Sequence, residues 1–193
     1  MKRTHNKDEI IQAGLEIIHT RGFNGTGIEA ILKQANVPKG SFYNFFSSKE
    51  EFGLAVIDLF LSEMAALRQP ITEDVSLPPL MRIRKSFEVL IARFEDNNCS
   101  KGCLIGNLSL EMSDQFEGVR QHLKNALQRW IDSLAAILEE AREEGTLTTD
   151  VDSAVLAENL VTSYEGALLL AKVKKSVEPL KNFIHLYFDI FLA

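Results

Sequence analysis

The chain has 193 residues, which is enough for one well-buried domain or for a small domain beside a larger one, and too few for a multi-enzyme chain. Hydrophobic residues make up 46% and charged residues 25%, a balance that is typical of soluble globular proteins and excludes a disordered or collagen-like chain. The net charge of −6 argues against a nucleic-acid binder, for which a basic domain is expected.

Apolar residues recur with helical spacing in the first third of the chain and predict four helices there. The first is capped by Asn6 and ends at Gly22, since these residue types favour helix starts and helix ends. The second begins after Thr26. After a break at a proline, residues 39–46 form a very short third helix, and a fourth follows over residues 48–68.

The rest of the chain is predicted to be a helical body. Residues 69–79 contain three of the five prolines and make the best linker, and longer helical stripes follow over residues 80–193. No strand pattern or repeat is evident. We therefore expect an all-α protein of about nine helices: a three-helix head (1–50), a connecting helix (48–68) and a body (69–193). The last two helices are apolar over wide arcs, which a second copy of the chain would cover.

Charge is distributed unevenly along the chain. Residues 1–50 carry seven Lys and Arg against five Asp and Glu, a net +2, so the remainder carries −8. This asymmetry favours a head that approaches a polyanion. Lys2, Arg3, His5 and Lys7 form either a short basic arm or an ordinary solvated terminus.

Two short helices joined by a tight turn at residues 36–38 have the spacing of a helix-turn-helix. On the second, Phe42 and Phe46 are one helical turn apart and are predicted to face the core of the head. The opposite arc, which would enter a major groove, consists of Lys39, Ser41, Tyr43 and Asn44.

Each polar group on this arc suggests a contact with DNA. Lys39 and Lys49 would neutralise phosphates, and Gly40 would let the backbone approach closely. Ser41 and Asn44 can bond base edges, and the Tyr43 hydroxyl can reach a phosphate or a base. Helix starts near Thr26 and Ser48 would offer N–H groups to phosphates. The alternative is a small helical subdomain with an exposed polar face.

Residues 7–60 resemble the N-terminal DNA-binding domain of the TetR family of transcriptional regulators. The resemblance rests on Gly22-Phe23, Thr26, Ile28, Ile31, Ala35, Val37, the run from Lys39 to Phe46, and Ser48-Lys49-Glu50. It implies a homodimer whose paired recognition helices read a palindromic operator. The family's DNA-contact positions fall on Thr26, Gly27, Lys39, Gly40, Ser41, Tyr43, Asn44, Phe45 and Lys49. Phe45 departs from the family, whose members often carry a polar or hydroxylated aromatic residue there.

The resemblance also implies a larger ligand-binding body that dimerises through its last two helices. Its interface is then expected at Leu160, Leu168, Phe183, Ile184, Tyr187 and Phe191. Residues 101–108 and 165–172 resemble a subgroup of TetR-like repressors that sense electrophiles or oxidants through a cysteine.

Cys103 is the candidate sensor in that subgroup. It follows Gly102 at a predicted helix start, where the thiolate would gain from the helix N-terminus, from Lys101 and, if its helix packs nearby, from Lys172. Alternatively, Cys103 is a small buried apolar residue. A metal site formed with Cys99 is a poor alternative, because a closed zinc site needs about four ligands.

A reversible ligand would be bound by bulky or polar residues set within the apolar stripes of the body. The candidates are Phe60, Phe94, Asn107, Trp130 and Tyr164, each of which can instead be ordinary core.

The sequence contains no catalytic constellation and suggests no cofactor or metal. Its polar N-terminus and lack of a long apolar run predict a cytoplasmic protein without membrane association. We expect a repressor that releases operator DNA when a small molecule or electrophile acts on the body. The alternative is a helical small-molecule-binding protein or enzyme without DNA affinity.

Overall fold

The computed structural model describes residues 7–192, apart from the side chain of Lys39. The predicted arm residues Lys2, Arg3 and His5 and the predicted cap Asn6 lie outside these described residues. Within residues 7–192 all regular elements are helical, and the prediction of an all-α protein with about nine helices is confirmed. The α-helices are α1 (Lys7–Arg21), α2 (Ile28–Gln34), α3 (Lys49–Thr72), α4 (Pro79–Asp96), α5 (Leu104–Met112), α6 (Glu117–Glu143), α7 (Ser153–Lys174) and α8 (Glu178–Ile184). A 3₁₀ helix (Lys39–Asn44) precedes α3, and a π-helical segment (His185–Phe191) follows α8.

Side chains and glycines fix several helix ends. Gly22 follows α1 with a φ of 77°, a conformation that suits glycine. At the start of α3 the Oγ of Ser48 accepts the N–H of Glu51 at 3.0 Å, while the Glu51 carboxylate accepts the N–H of Ser47 at 2.7 Å. Asp152 caps α7 by accepting two backbone N–H groups. These local caps satisfy backbone N–H groups that have no partner within the first turn of either helix.

The helix α3 is longer than the sequence suggested. It contains Pro70 and ends at Thr72, so the predicted end at 68 and the linker start at 69 are corrected. A proline in the last turns removes only one intrahelical hydrogen bond. At the end of the helix the guanidinium of Arg82 binds one of the free terminal carbonyls, since its Nη1 donates to the Thr72 carbonyl at 3.1 Å while its Nη2 pairs with Glu140.

The chain forms two compact units. The first comprises residues up to 64 together with 104–124, and therefore holds α1, α2, the 3₁₀ helix, most of α3, all of α5 and the start of α6. Its core contains three fully buried rings, Phe42, Phe46 and Phe52, with centroids 5.0–5.4 Å apart. The residues that the helix-turn-helix pattern assigned to the core therefore pack there.

The second unit comprises residues 65–103 and the chain from 125 onward. Phe87 on α4 lies at its centre and is fully buried. Its ring is 5.1–6.3 Å from four other rings, those of Trp130, Tyr164, Phe183 and Phe188. The functional division suggested by the sequence, a head over 1–50 and a body over 69–193, stays a prediction.

Candidate nucleic-acid interface and effector site

A tight turn joins α2 to the 3₁₀ helix. Asn36 adopts a left-handed backbone conformation (φ 54°), which asparagine tolerates better than most residues. The N–H of Val37 donates to the carbonyl of Leu32 at 2.9 Å, and the Val37 side chain is buried. Pro38 then sets the backbone for the 3₁₀ helix. Local bonds therefore hold the two short helices in the helix-turn-helix arrangement that their spacing predicts.

The 3₁₀ helix has one buried and one exposed face. Phe42 is completely buried, whereas its neighbour Tyr43 is 66% exposed. The two rings meet edge-on with centroids 5.4 Å apart, a contact that restricts the rotamers of the exposed ring. Among the other predicted contacts on this helix, Gly40 and Asn44 are exposed, and Ser41 and Phe45 are half-buried. The arc expected to enter a groove is therefore at the surface of the first unit.

Thr26 and Gly27, at the start of α2, differ sharply in accessibility. The side chain of Thr26 is only 1% exposed, and its Oγ1 donates to the carbonyl of Gly22 at 2.7 Å. The Thr26 hydroxyl therefore stabilises the segment of residues 22–26, which we call the α1–α2 corner. Gly27 caps α2 without a side chain, and there is open space where a Cβ would lie.

Lys49 lies at the start of α3 and is engaged with the α1–α2 corner. Its Nζ donates to the carbonyl of Phe23 at 2.6 Å and lies 4.2 Å from the centroid of the Phe23 ring. Burial lowers the pKa of Lys49, and the negative charge of Glu111 opposes that shift. The ammonium therefore braces the corner, and the phosphate contact suggested for Lys49 stays a prediction.

The other predicted phosphate contacts are two lysines, Lys39 and Lys7, and the N–H groups at the start of α3. The side chain of Lys39 lies outside the described residues. Lys7, the described member of the predicted arm, has its Nζ 5.0 Å from the centroid of the Phe46 ring. One N–H at the start of α3 is already capped by Ser48. The exposed arc of the 3₁₀ helix is thus the best defined part of the candidate interface.

Cys103 lies in the second unit, directly before the first residue of α5, and is half-buried. Its thiol donates a hydrogen bond to the carboxylate of Glu165 on α7. Burial raises the pKa of Glu165, and this hydrogen bond lowers it in part. Among the described residues, the Oε1 atom of Glu165 is buried without a hydrogen-bond partner. The cysteine therefore faces a carboxyl group that the sequence analysis did not predict.

Arg68, near the end of α3, supplies a positive charge close to Cys103. Burial lowers the pKa of Arg68, while its interactions with Cys103 and Tyr164 raise it. Its guanidinium carbon lies 4.7 Å from the centroid of the Trp130 ring, and that ring meets Tyr164 edge-on at 5.9 Å. Burial also raises the pKa of Tyr164 well above its ordinary value. The second unit thus brings Cys103, Trp130 and Tyr164 together around the charge of Arg68, which the sequence analysis did not predict, and their part in an effector site stays a prediction.

Arg68 and Glu165 were missed, although the sequence contains a signal for each. Arg68 lies four residues after Met64, on the face of α3 that the apolar stripe marks as buried. Glu165 likewise lies four residues after the buried Val161, and therefore on the buried face of α7. A charged residue that continues an apolar stripe indicates a buried polar site.

The remaining predicted effector residues are spread over both units. Lys172 passes close to Gly102, the residue before Cys103, since its Cδ lies 3.6 Å from the position that a Cβ would take there. Phe94 is buried in the second unit. Phe60 and Asn107 belong to the first unit, where Phe60 meets the ring of His19 edge-on at 5.5 Å. Their part in a ligand site stays a prediction.

Four of the predicted dimer-interface residues are core residues of the second unit. Leu160, Leu168, Phe183 and Ile184 are all buried within the chain itself, and their part in a dimer interface stays a prediction. Tyr187 is half-buried with its hydroxyl 2.7 Å from the Ser163 hydroxyl, and Phe191 is exposed. The exposed apolar residues on α7 and the final segment are instead Val155, Leu169, Leu170, Val173, Leu186, Ile190 and Phe191.

Two further kinds of site were searched for in residues 7–192. Among them no group of three or more His, Cys, Asp or Glu side chains could hold a metal ion. No helix in this part of the chain is both long and apolar enough to cross a membrane.

Comparison with known proteins places both parts of the chain in one family. Residues 10–56 match the bacterial regulatory proteins of the TetR family, and residues 79–187 match the tetracycline repressor-like C-terminal domain. The chain belongs to the TetR family of transcriptional regulators. The sequence resemblance and the prediction of a DNA-binding regulator with a helix-turn-helix are therefore confirmed.

Individual relatives in the TetR family match along almost the whole chain. The transcriptional repressor DhaR of Mycobacterium sp. (strain GP1) is 34% identical over 192 residues, which cover 100% of this chain and 95% of that protein. The crystal structure of a regulatory protein TetR from Rhodobacter sphaeroides is 35% identical, with a TM-score of 0.89 over 96% of this chain and 98% of that one. The reduced form of NemR from Escherichia coli is 34% identical, with a TM-score of 0.81 over 95% and 96% of the two chains. These relatives are regulators rather than enzymes, and dimerisation and ligand response are typical of the family.

Proposed function

We propose that this TetR-family regulator is a homodimeric repressor of a palindromic operator, and that a small electrophile releases it by reacting with Cys103. The exposed Tyr43 and Asn44, on a helix anchored by the buried Phe42, carry the DNA-binding half of the proposal. The position of the Cys103 thiol beside Glu165 carries the other half. In this proposal residues 1–50 bind DNA, residues 69–193 sense and dimerise, and the protein acts in the cytoplasm, where bacterial operators lie.

Operator binding follows from the chemistry of the exposed arc. Asn44 can pair with the edge of an adenine in the major groove, and Tyr43 can reach a phosphate or a base. Gly27 and Gly40 have open space where a Cβ would lie, which favours close approach of the DNA backbone. Two such surfaces in a dimer would fit half-sites about 34 Å apart.

Fluorescence anisotropy with the DNA upstream of the protein's own gene tests this half of the proposal. We expect specific binding that weakens steeply with salt, because phosphate contacts release counterions. Tyr43→Ala should weaken specific binding by about tenfold or more, the loss expected for one good contact in each protomer. Val75→Ala, which changes an exposed residue of the second unit, is the matched control. Salt-insensitive binding, or equal affinity of the two variants, would contradict the proposal.

The dimer is proposed to form through the exposed apolar strip on α7. Val155, Gly166, Leu169 and Val173 follow one another at spacings of eleven, three and four residues, which place them on one helix face. Gly166 is exposed with open space around its missing Cβ, so a partner helix can approach closely there. Such a strip in water favours association with a second copy.

The proposed sensing step adds the S–H of Cys103 across the carbon–carbon double bond of an α,β-unsaturated carbonyl compound. Glu165 accepts the thiol proton, the sulfur bonds to the β-carbon, and the proton then passes to the α-carbon, so no group leaves and no cofactor is needed. Arg68 stabilises the negative charge that develops on the carbonyl oxygen. A carboxyl group whose pKa burial raises is suited to accept and return this proton.

Methyl vinyl ketone is a suitable probe for this step. We expect one added reagent per chain by intact-mass spectrometry, together with release of the operator. Cys103→Ser should prevent both, whereas Cys99→Ser, which replaces the other free cysteine, should prevent neither. Equal release in the parent and in Cys103→Ser would reject the thiol reaction and favour a reversible ligand beside Trp130 and Tyr164.

A further inference from the structure

A carboxylate on α5 binds the backbone of the α1–α2 corner in the first unit. Glu111 accepts the N–H of Phe23 on its Oε2 at 2.8 Å and the N–H of Asn24 on its Oε1 at 2.6 Å. Both hydrogen bonds have an ionised acceptor and are therefore of the strong, charge-assisted kind. Residues almost ninety positions apart in sequence are joined by this pair of bonds.

The α1–α2 corner is built around this carboxylate. At Gly22 a Cβ would lie 2.9 Å from Oε2 of Glu111, so only a glycine allows this approach. Lys49 binds the carbonyl of Phe23 and is attracted by the charge of Glu111. The hydroxyl of Thr26 binds the carbonyl of Gly22. Donors and acceptors of the corner are thus paired in a single network that includes α5.

The side chain of Phe23 ties the same corner to two further elements. It is buried, and its ring lies within 2.8 Å of the position a Cβ would take at Gly53 on α3. Phe116, between α5 and α6, meets the ring edge-on at 6.1 Å. Because the corner leads directly into α2, its geometry sets how the helix-turn-helix is oriented relative to α5.

The opposite end of α5 begins at the residue after Cys103. The segment before it is held in an unfavourable conformation, since left-handed backbone costs L-residues free energy. Lys175 holds this segment by donating to the carbonyl of Cys99 at 3.2 Å and to the Oγ of Ser100 at 3.1 Å. Positive φ angles occur at Asn98 (53°), Cys99 (51°), Lys101 (66°) and Gly102 (81°).

We propose that Glu111 is a positioning residue for operator binding, through which α5 fixes the α1–α2 corner in the geometry that reads DNA. A change at the Cys103 end of α5 then loosens the hydrogen bonds of Glu111 at the other end. The first statement depends only on DNA binding, and the second rests on the proposed function of Cys103.

Glu111→Gln and Glu117→Gln form a matched pair for the test. The amide of Glu111→Gln keeps the shape of the carboxylate. Its NH₂ group faces one of the two backbone N–H donors, Phe23 or Asn24, so one hydrogen bond is lost. Glu117 is an exposed residue of α6 in the same unit, paired with Arg120. We expect Glu111→Gln to weaken operator binding by about a hundredfold, because the dimer loses one charge-assisted hydrogen bond in each protomer. Glu117→Gln should leave the operator affinity unchanged.

Both variants are compared with the parent by anisotropy and by thermal denaturation, at a temperature where all are folded. A purely structural role predicts a lower melting temperature for Glu111→Gln with unchanged operator affinity, and that result would overturn the proposal. Failure of the parent to bind its upstream DNA would instead refute the proposed function, so the two failures are distinct.

Amide hydrogen exchange of the parent protein provides a second test that needs no variant. After reaction of Cys103 with methyl vinyl ketone, the N–H groups of Phe23 and Asn24 should exchange at least about tenfold faster, because they lose their acceptors. The N–H groups in the middle of α4 should keep their rates. Release of the operator with unchanged exchange at Phe23 and Asn24 would show that the signal does not pass through Glu111.

Discussion

Replacing Lys49 by Met tests whether its ammonium braces the α1–α2 corner or binds a phosphate. The variant keeps the aliphatic stem and removes both the hydrogen bond to Phe23 and the contact with its ring. A hydrogen bond to a charged group contributes about 1.5–3 kcal/mol, and an exposed cation–π contact about 0.5–1 kcal/mol. Burial lowers the pKa of Lys49, and the same desolvation offsets part of this gain. We expect a net loss of about 1–2 kcal/mol, which lowers the melting temperature by about 2–8 °C.

The salt dependence of operator binding separates the two roles of Lys49. Each phosphate contact contributes about 0.9 to the slope of log K against log salt, so a dimer that lost two contacts would lose about 1.8. Because the ammonium of Lys49 is held by the carbonyl of Phe23, we expect Lys49→Met to bind more weakly at every salt concentration with an unchanged slope. Lys39→Met, at the other predicted phosphate contact, should lower the slope.

Anisotropy titrations at four or more salt concentrations, together with thermal melts, measure both quantities on the same preparations. A slope reduced by about 1.8 with an unchanged melting temperature would refute the bracing role and establish a phosphate contact for Lys49. An unchanged slope for both variants would instead show that neither lysine binds a phosphate.

Three further substitutions address other parts of the chain. Leu169→Glu puts a charge on the exposed strip of α7 and should convert the dimer to a monomer in sedimentation velocity; a persistent dimer would exclude this strip. Glu165→Gln should raise the melting temperature near pH 8 but not near pH 4. Burial raises the pKa of Glu165 in the folded state, so ionisation of this carboxyl destabilises the fold only at pH values above its unfolded-state pKa of 4.5. An equal effect at both pH values would contradict this. Gly22→Ala should cost about 1–2 kcal/mol for its left-handed backbone and more for its clash with Glu111, whereas Gly145→Ala, at a φ of 73° in open space, should show the backbone cost alone; equal losses would refute the clash.

Local patterns predicted the elements whose faces differ clearly in polarity. Phe42 and Phe46 lie four residues apart and bracket the polar Tyr43 and Asn44, so the sequence alone predicted that both phenylalanines are buried. Pro70 misled the prediction of where α3 ends, because the helix continues past it to Thr72, whose free carbonyl Arg82 binds.

The helix α7 shows why its exposed face could not be predicted residue by residue. It is apolar around much of its circumference, so periodicity does not distinguish the buried Leu168 from the exposed Leu169. The sequence also could not predict the hydrogen-bond partners of Lys49 and Glu111. The carbonyl that binds Lys49 and the N–H groups that bind Glu111 belong to backbone that carries no side-chain signal.

The energy required for release is compatible with the contacts of Glu111. To change operator occupancy from 99% to 1% an effector must shift the equilibrium by about 10⁴, or about 5.5 kcal/mol. Glu111 makes two charge-assisted hydrogen bonds in each protomer, so a dimer contains four, and even at about 1.5 kcal/mol each their loss amounts to about 6 kcal/mol. In the proposed function, a covalent bond at Cys103 would supply such a shift, because covalent attachment is not limited by reversible affinity. A single thiol at one end of α5 would therefore be sufficient to control the proposed DNA-reading surface, whose α1–α2 corner is held at the other end.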